Sequence, residues 1–236
     1  MHPSFSSRSN KGDPRLIVIT PTYNRPSQIP DLIRTKQALQ LVSNCDWIVV
    51  EDANQTNLRV MNYLQDYSSG DFFYTHVLTE EKYREMKGRT QRNMGIQLVE
   101  QLYAKAESQK RNHAETNPFR NAVVYFGDDD NSYDSKFLDL LKGTKRLSLF
   151  NVGLITNALL EGPLTENNKI IGFQTSWWVN RKFPVDMAGF AINVGFLHDN
   201  NYPKFDAITP RGPKKVTGSL NVNTVRQHYG AKLCTG

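Results

Sequence analysis

The chain has 236 residues, of which 39% are hydrophobic and 22% are charged, a composition that is typical of globular proteins and excludes a disordered or fibrous chain. The formal net charge is +6, but residues 207–236 contain five Lys or Arg and no Asp or Glu, so the rest of the chain carries only +1. A basic tail on a nearly neutral protein argues against a nucleic-acid-binding domain, and we expect no nucleic-acid partner. A tail that binds polyanions is the alternative that this charge distribution leaves open.

Strands and helices alternate through the first half of the chain. Short apolar runs bounded by turn residues predict buried strands, and apolar residues three or four positions apart predict helices. The predicted strands are residues 16–20, 47–50, 72–78 and 122–126, and the predicted helices are residues 29–42, 58–66 and 88–105. After residue 137 the pattern is mixed, and shorter strands are predicted at residues 152–156, 158–160 and 169–175.

This alternation predicts an α/β protein with a mostly parallel central sheet flanked by helices. Ligands of such sheets bind beyond the carboxyl ends of the strands. Polar clusters follow three of the predicted strands directly, at residues 20–25, 51–53 and 128–131. We therefore expect a ligand site at this edge of the sheet.

The last of these clusters contains three adjacent carboxylates, Asp128, Asp129 and Asp130. Neighbouring carboxylates repel each other unless a cation or basic side chains neutralise them. Hard oxygen ligands at the end of a strand suit Mg²⁺ or Mn²⁺, and such a metal commonly bridges a diphosphate. A solvated loop after a strand is the alternative.

The other components of a nucleotide-diphosphate site are cations and a pocket for the base. Lys87, Arg89 and Arg92 lie near the start of the predicted helix 88–105, where an anion is favoured. Tyr23 can stack on a base, and Asp52 can accept a hydrogen bond from a uracil ring N–H. An ordinary solvated helix face and plain loop residues are the corresponding alternatives.

Six short motifs occur in a characteristic order along the chain. They are Thr20-Pro21-Thr22-Tyr23, Val50-Glu51-Asp52-Ala53, Gln91-Arg92-Asn93, Val124-Tyr125-Phe126-Gly127-Asp128-Asp129-Asp130-Asn131, Glu161-Gly162-Pro163 and Phe183-Pro184-Val185-Asp186-Met187-Ala188-Gly189-Phe190-Ala191. Together they resemble the β-1,3-glucuronosyltransferases, and the similarity runs from about residue 15 to residue 211. The resemblance implies the type A glycosyltransferase fold, with a nucleotide-sugar site at the carboxyl ends of the strands.

The activity that the resemblance implies is the transfer of glucuronic acid from UDP-glucuronic acid to a galactose-terminated glycan, with inversion and with Mn²⁺ as cofactor. The enzyme would be of the galactosylgalactosylxylosylprotein 3-beta-glucuronosyltransferase kind. A proteoglycan linker, a glycoprotein glycan and a glycolipid all remain open as the acceptor. The resemblance also implies a homodimer.

Site residues follow from the resemblance by position. Tyr23 would stack on uracil, Asp52 would hydrogen-bond it, and Asp130 would bind Mn²⁺. Asp129 would hold the ribose, while Arg92 would contact the nucleotide or orient the carboxylates. The remaining expected nucleotide-binding residues are Asp128 and Lys87, the latter at a position where the family usually has Arg; the expected acceptor-binding residues are Glu161, Trp177, Arg181 and Asp186. Core burial is the alternative for Trp177 and its neighbour Trp178.

The C-terminal segment departs from the family pattern. The family places its catalytic Glu a few residues after a Pro-Arg-Gly segment, but here residues 210–212 are followed by Pro213-Lys214-Lys215-Val216, and no acidic residue follows Asp206. The family's Trp-His-Thr-Arg segment is also missing. Glu161 and Asp186 are the candidates for a replacement base. A catalytically silent relative that binds UDP or carbohydrate is the alternative to an active enzyme.

Domain boundaries follow from these motifs. We expect a flexible lead-in at residues 1–14, a nucleotide-binding subdomain at 15–131, an acceptor-binding subdomain at 132–211 and an atypical basic tail at 212–236. The family resides in the Golgi lumen on an N-terminal membrane anchor. The longest apolar run here has five residues and residues 1–10 are polar, so we expect neither an anchor nor a signal peptide in this chain.

Overall fold

The computed structural model describes residues 12–81, 88–110, 115–155, 158–167, 169–175 and 184–205. Nine strands and five helices lie in these ranges, with a 3₁₀ turn at Met187–Gly189. The strands are β1 (Leu16–Tyr23), β2 (Cys45–Asp52), β3 (Phe72–Val77), β4 (Val123–Phe126), β5 (Leu147–Leu149), β6 (Val152–Ile155), β7 (Ala158–Glu166), β8 (Lys169–Gln174) and β9 (Phe190–Asn193). The helices are α1 (Gln28–Leu39), α2 (Leu58–Leu64), α3 (Arg89–Ser108), α4 (Ser135–Leu141) and α5 (Val194–Asp199).

The central sheet has six strands in the order β3-β2-β1-β4-β9-β5. Strands β1 to β4 are parallel to one another, whereas β9 is antiparallel to both β4 and β5. This confirms the predicted α/β architecture with a mostly parallel central sheet. A second, antiparallel sheet contains β6, β7 and β8, which are the three short strands predicted after residue 137.

The core lies on both faces of the central sheet, because successive side chains of a strand point to opposite faces. On one face, Leu16 and Val18 of β1 pack with apolar residues of α1, α2 and α4. On the other face, Ile17 and Ile19 pack with residues of α3 and α5. Burial on both faces explains why the central strands are apolar at nearly every position rather than at alternate ones.

Strand β1 extends three residues beyond its predicted end and includes Pro21. Its pairing with β4 stops at Ile19 and Phe126, so Pro21 lies beyond that ladder and its missing N–H is tolerated there. Pairing with β2 continues to Tyr23. As a result β1 and β2 extend past β4, and the segment that follows β4 can approach the end of β1.

Two strands from the second half of the chain, β5 and β9, lie in the central sheet, which therefore draws on both sides of the predicted boundary at residue 131. The division into subdomains stays a prediction. Residues 1–11 of the lead-in and the whole tail, 212–236, lie outside the described residues. Within the described ranges, no helix has both the length and the apolar character needed to cross a lipid bilayer.

Candidate nucleotide-binding site

The ends of three adjacent parallel strands bring the predicted polar clusters to one edge of the sheet. Tyr23 and Asp52 are register partners at the ends of β1 and β2. Residues 128–130, here called the acidic turn, leave β4 beside them, because Phe126 is the register partner of Ile19. Parallel strands present their carboxyl ends at the same edge, so this proximity follows from the topology.

The middle carboxylate of the acidic turn is buried and strongly hydrogen-bonded. Asp129 is only 5% exposed, and its Oδ2 accepts from Thr22 Oγ1 at 2.6 Å and from Arg25 Nη1 at 2.8 Å. Its backbone oxygen accepts from Thr35 Oγ1 at 3.3 Å. Thr22 is on β1 and Thr35 is on α1, so both elements hold the acidic turn against the end of the sheet.

Arg25 is a cation of the site that the sequence analysis left without a role. Its Nη2 donates to Asp31 Oδ2 at 2.9 Å, and the guanidinium lies 4.8 Å from the centre of the Tyr23 ring. The hydrogen bond to Asp129 is the main cause of a raised Arg25 pKa, which burial partly opposes. The sequence feature that could have predicted this role is the position of Arg25 in the polar cluster 20–25. That cluster and the three carboxylates follow strands of the same sheet, and arginine commonly pairs with a carboxylate.

The first carboxylate of the turn is paired with the predicted cation of α3. Arg92 Nη2 donates to Asp128 Oδ1, and only a small fraction of the Arg92 side chain is exposed. Burial raises the pKa of Asp128, Arg92 opposes this, and the negative charges of Asp186 and Asp130 add to the increase. The structure therefore brings Arg92, Asp128 and Asp186 into one electrostatic cluster.

Gly88, at the N-cap of α3, allows the Arg92 side chain to approach. It has φ +74°, in the left-handed region, and a Cβ there would lie 2.5 Å from Arg92 Nη1. Only glycine adopts this conformation without strain and leaves the space for the guanidinium. The glycine before the Gln91-Arg92-Asn93 motif therefore supports the pair between Arg92 and Asp128.

The third carboxylate differs from the other two because it is exposed. Asp130 makes no side-chain hydrogen bond or ion pair with the part of the chain that the structure describes. Its backbone oxygen accepts from Arg34 Nη2 at 3.1 Å, which fixes the main chain without engaging the carboxylate. No group of three or more His, Cys, Asp or Glu side chains in the described ranges is placed to hold a metal ion by itself.

This arrangement fits a metal that is held by few protein ligands. Mg²⁺ and similar hard cations are commonly bound through one or two carboxylates together with substrate phosphates. Asp130 offers a carboxylate that no described cation engages, and its negative charge adds to the increase that burial causes in the pKa of Asp128. The acidic turn therefore offers one or two carboxylates to such a metal.

Asp52 and Tyr23 lie at the rim of this edge. Asp52 is half-buried, and its Oδ1 accepts from the backbone N–H of Thr79 at 2.9 Å. Tyr23 is 50% exposed, so one part of its ring packs under Arg25 and another part faces solvent. Both residues have the exposure that contact with a ligand requires.

Glu51 precedes Asp52 but has a different environment. It is buried, and its carboxylate accepts from Gln28 Nε2 at 3.0 Å, Asn57 Nδ2 at 3.0 Å and the Tyr74 hydroxyl at 2.5 Å. Gln28 also donates to Thr22 Oγ1 at 3.2 Å. The buried carboxylate of Glu51 therefore has its hydrogen bonds from neutral donors. These bonds tie the end of β2 to the start of α1, the start of α2 and β3.

Two of the expected acceptor-side residues are described. Asp186 Oδ1 accepts from the Ala188 N–H at 2.8 Å and caps the 3₁₀ turn, and its charge raises the pKa of both Asp128 and Tyr125 after the larger effect of burial. Glu161 lies on β7 in the second sheet, where it is buried and accepts from Thr175 Oγ1 at 3.2 Å. Because β9 is antiparallel to β4 and Ala191 pairs with Tyr125, the chain that precedes β9 passes the end of β4, and this places Asp186 near the acidic turn.

Comparison with known proteins identifies the family. Residues 35–229 match glycosyltransferase family 43. The chain belongs to this family. It is 36% identical over 191 residues to galactosylgalactosylxylosylprotein 3-beta-glucuronosyltransferase P of Drosophila melanogaster, and 34% identical over 210 residues to galactosylgalactosylxylosylprotein 3-beta-glucuronosyltransferase 3 of Homo sapiens. The matches cover 79% and 84% of this chain, but only 36% and 61% of the two relatives.

Among solved structures, this family 43 chain resembles S. aureus TarS, with a TM-score of 0.43 and 14% sequence identity over 79% of this chain and 30% of TarS. The sequence match confirms the resemblance to the β-1,3-glucuronosyltransferases. The roles assigned to individual residues by that resemblance stay predictions.

The site residues that the family resemblance predicts fall into three groups. The structure brings together those expected on the donor side, namely Tyr23, Asp52, Arg92, Asp128, Asp129 and Asp130. It places Asp186 near them and Glu161 in the second sheet. Lys87, Trp177 and Arg181 lie outside the described residues.

Proposed function

We propose that this chain binds UDP-glucuronic acid at the acidic edge of the central sheet and transfers glucuronic acid to a galactose-terminated glycan, with inversion. The observation that carries the proposal is the convergence of an exposed ring, a half-buried carboxylate and the acidic turn at this edge, in a chain of glycosyltransferase family 43. The relatives' names support glucuronic acid as the transferred sugar.

The nucleoside would bind between Tyr23 and Asp52. The half-exposed ring of Tyr23 suits stacking on a uracil, and the carboxylate of Asp52 suits a ring N–H donor. Asp129 would accept from a ribose hydroxyl. A buried carboxylate that is already fixed by two donors is well suited to this role, because its orientation is set before the ligand arrives.

The diphosphate would bind next to Asp130, with Mn²⁺ as the cofactor. Bound there, Mn²⁺ would neutralise negative charge that develops on the departing diphosphate. Asp130 would ligate the ion, since no described cation engages its carboxylate. Arg92 would keep Asp128 in place and limit repulsion within the acidic turn.

Inversion requires a single displacement. The acceptor hydroxyl oxygen forms a bond to the anomeric carbon while the bond from that carbon to the UDP oxygen breaks, and a base takes the hydroxyl proton. Asp186 and Glu161 are the candidate bases in this chain, because the family's catalytic Glu has no counterpart after Asp206. The position of Asp186 just before β9, next to the end of β4, favours it over Glu161, which lies in the second sheet.

A catalytically silent relative that binds UDP or carbohydrate is the second candidate function. The observation in its favour is the absence of any acidic residue after Asp206 in the sequence. A general base typically contributes about 10²–10⁴-fold to the rate, so its loss leaves binding intact and reduces turnover strongly.

The acceptor, the cellular location and the assembly of the proposed enzyme are extended to it from the same family. The names of the relatives describe a galactosyl-galactosyl-xylosyl-protein acceptor, and we extend this acceptor class to the present chain. Location in the Golgi lumen and assembly as a homodimer belong to the proposal as well.

The proposal is tested by calorimetric titration of UDP with Mn²⁺ and with EDTA. UDP is expected to bind only with the metal, and Asp130→Ala is expected to abolish binding. Asp66→Ala removes an exposed carboxylate that bonds Lys36 on α1, and it serves as the matched control that retains binding. Equal affinity for UDP in EDTA would contradict the metal site.

A turnover assay on the same sample separates the two candidate functions. Detection of a glucuronide on a galactose-ended acceptor by mass spectrometry supports the enzyme, and its loss in Asp186→Asn but not in Glu161→Gln identifies the base. UDP binding without product supports the silent relative.

A further inference from the structure

The guanidinium of Arg25 contacts four side chains, one of which is Ser27, whose Oγ accepts from Arg25 Nε at 3.1 Å. It donates to Asp129 Oδ2 at 2.8 Å and to Asp31 Oδ2 at 2.9 Å, and it covers the Tyr23 ring at 4.8 Å. Asp129 and Asp31 come from the acidic turn and from α1, while Tyr23 ends β1. One planar cation therefore joins the side chains proposed to hold the base and the ribose.

The two oxygens of Asp129 are used unequally. Both side-chain hydrogen bonds that it accepts from described residues, from Thr22 and Arg25, fall on Oδ2. Oδ1 accepts none from the described ranges. A carboxylate that is fixed through one oxygen leaves the other oxygen in a defined position as an acceptor.

The acidic turn has other attachments to α1 that do not involve Arg25. Arg34 donates to the backbone oxygens of Asp130 and Asn131, and Thr35 donates to that of Asp129. Arg34 also pairs with Asp31, at 3.1 Å. The main chain of the acidic turn is thus held without Arg25. Arg25 instead fixes the side chain of Asp129.

We infer that Arg25 is a positioning residue for nucleotide recognition. It fixes Asp129 through Oδ2, so that Oδ1 is left to accept from a ribose hydroxyl, and it sets the plane of the Tyr23 ring against which a base would stack. This inference rests on the proposed function. Arginine suits the task because its planar fork reaches two carboxylates and packs on a ring at the same time.

The experiment compares UDP with its 2′-deoxy and 3′-deoxy analogues by calorimetry in Mn²⁺, for the wild type and for Arg25→Met. The wild type is expected to prefer UDP to at least one analogue. In Arg25→Met we expect UDP affinity to fall about tenfold and the preference for the ribose hydroxyl to fall by a similar factor. If Arg25 only stabilised the fold, Arg25→Met would weaken the binding of UDP and of both analogues by the same factor.

Three further variants complete the design. Arg25→Lys keeps the charge but loses the planar fork that packs on the Tyr23 ring, so it should retain part of the preference. Thr22→Val removes the other donor to Oδ2 at nearly constant volume and should act in the same direction. Arg120→Met, which breaks an ion pair with Asp199 on another part of the surface, should leave the preference unchanged.

The outcomes separate the inference from the proposed function. Failure of the wild type to bind UDP contradicts the proposed function itself. A wild type that binds UDP and both analogues equally, or an Arg25→Met protein with the wild-type preference, overturns the role of Arg25. Circular dichroism shows whether each variant is folded, and if Arg25→Met is not, Thr22→Val and Arg25→Lys decide the question by the same criterion.

Discussion

Three adjacent aspartates of identical chemistry have three different environments in this chain. Asp128 pairs with Arg92, Asp129 is held by Thr22 and Arg25, and Asp130 is exposed. The repulsion expected among neighbouring carboxylates is therefore relieved first by arginines of the protein. The one carboxylate that no described arginine engages is that of Asp130, the residue proposed to bind a metal.

Replacement of Arg92 by Met should destabilise the protein. The variant leaves Asp128 largely buried without its cation, and such a loss costs about 1–3 kcal/mol. The double variant Arg92→Met with Asp128→Asn should recover part of this loss, because the remaining side chain is neutral. Urea denaturation of the single and double variants measures both effects.

The matched control for this prediction is Arg120→Met. Arg120 makes a bidentate pair with Asp199 at the surface, where water screens both charges, so we expect its loss to cost less than the loss of the buried Arg92. If Arg92→Met costs no more than Arg120→Met, the pair between Arg92 and Asp128 does not have the stabilising role described here.

The motif residues were predictable one by one, but their pairing was not. Thr22, Asp129 and Arg92 all lie in recognisable motifs, whereas Arg25 and Asp129 are 104 positions apart in sequence. A side chain in a loop has many possible partners at such a separation. Only the parallel alignment of β1 with β4 selects this one.

At the scale of elements, the site depends on strands of unequal length. Because β1 continues past β4, the acidic turn approaches the last residues of β1. Arg92, in the first turn of α3, reaches the acidic turn from the face of the sheet opposite to the one that α1 covers. The position of α3 against β1 therefore matters both for the core and for the site.

Replacement of Gly95 by Ala tests this position. Helix propensity alone predicts a gain of about 1 kcal/mol, since alanine is the better helix former. A Cβ at Gly95, however, would lie 2.4 Å from Ile19 Cγ2, so α3 must move away from β1. Overpacking of this kind costs about 1–3 kcal/mol, and we expect a net loss in the free energy of unfolding, measured by urea denaturation.

Gly172→Ala on β8 is the corresponding control. A Cβ there would meet only Leu164 Cδ1, at 4.0 Å, which is an ordinary contact. We expect little change or a small gain in stability, because alanine restricts the unfolded chain. A Gly95→Ala protein that is more stable than the wild type would show that α3 can shift at no cost.

At the scale of the whole molecule, the opposite edge of the sheet holds another buried carboxylate. Asp46, at the start of β2, accepts from Arg15 at 2.7 Å and from the backbone N–H of Asp71 at 2.9 Å. Burial raises the pKa of Asp46 to about 6, although Arg15 opposes the increase. The stability of the whole fold should therefore depend on the protonation of this residue.

The direction of the pH dependence follows from the raised pKa. An acid with a higher pKa in the folded state binds its proton more tightly there. Its contribution to stability is therefore present below about pH 3.8, the ordinary value, and is lost as pH rises through about 6. Asp46→Asn should gain up to about 3 kcal/mol relative to the wild type as pH rises from about 4 to 7, measured by urea unfolding at several pH values.

Asp66→Asn provides a control of opposite sign. The hydrogen bond from Lys36 lowers the pKa of Asp66, so the wild type gains stability from this group as pH rises. The variant should therefore lose stability relative to the wild type over the same range. A difference between Asp46→Asn and the wild type that does not change with pH would refute the effect assigned to Asp46.

The α/β class, the principal strands and helices of the first half and the acidic turn were all predictable from sequence patterns. These depend on local periodicity and on motifs of a few adjacent residues, which are visible without the fold. Tertiary structure alone decided the insertion of β9 between β4 and β5, the partner of each aspartate and the role proposed for Arg25. Those features arise from contacts between distant segments, and such contacts are selected by strand order and packing rather than by any pattern within one segment.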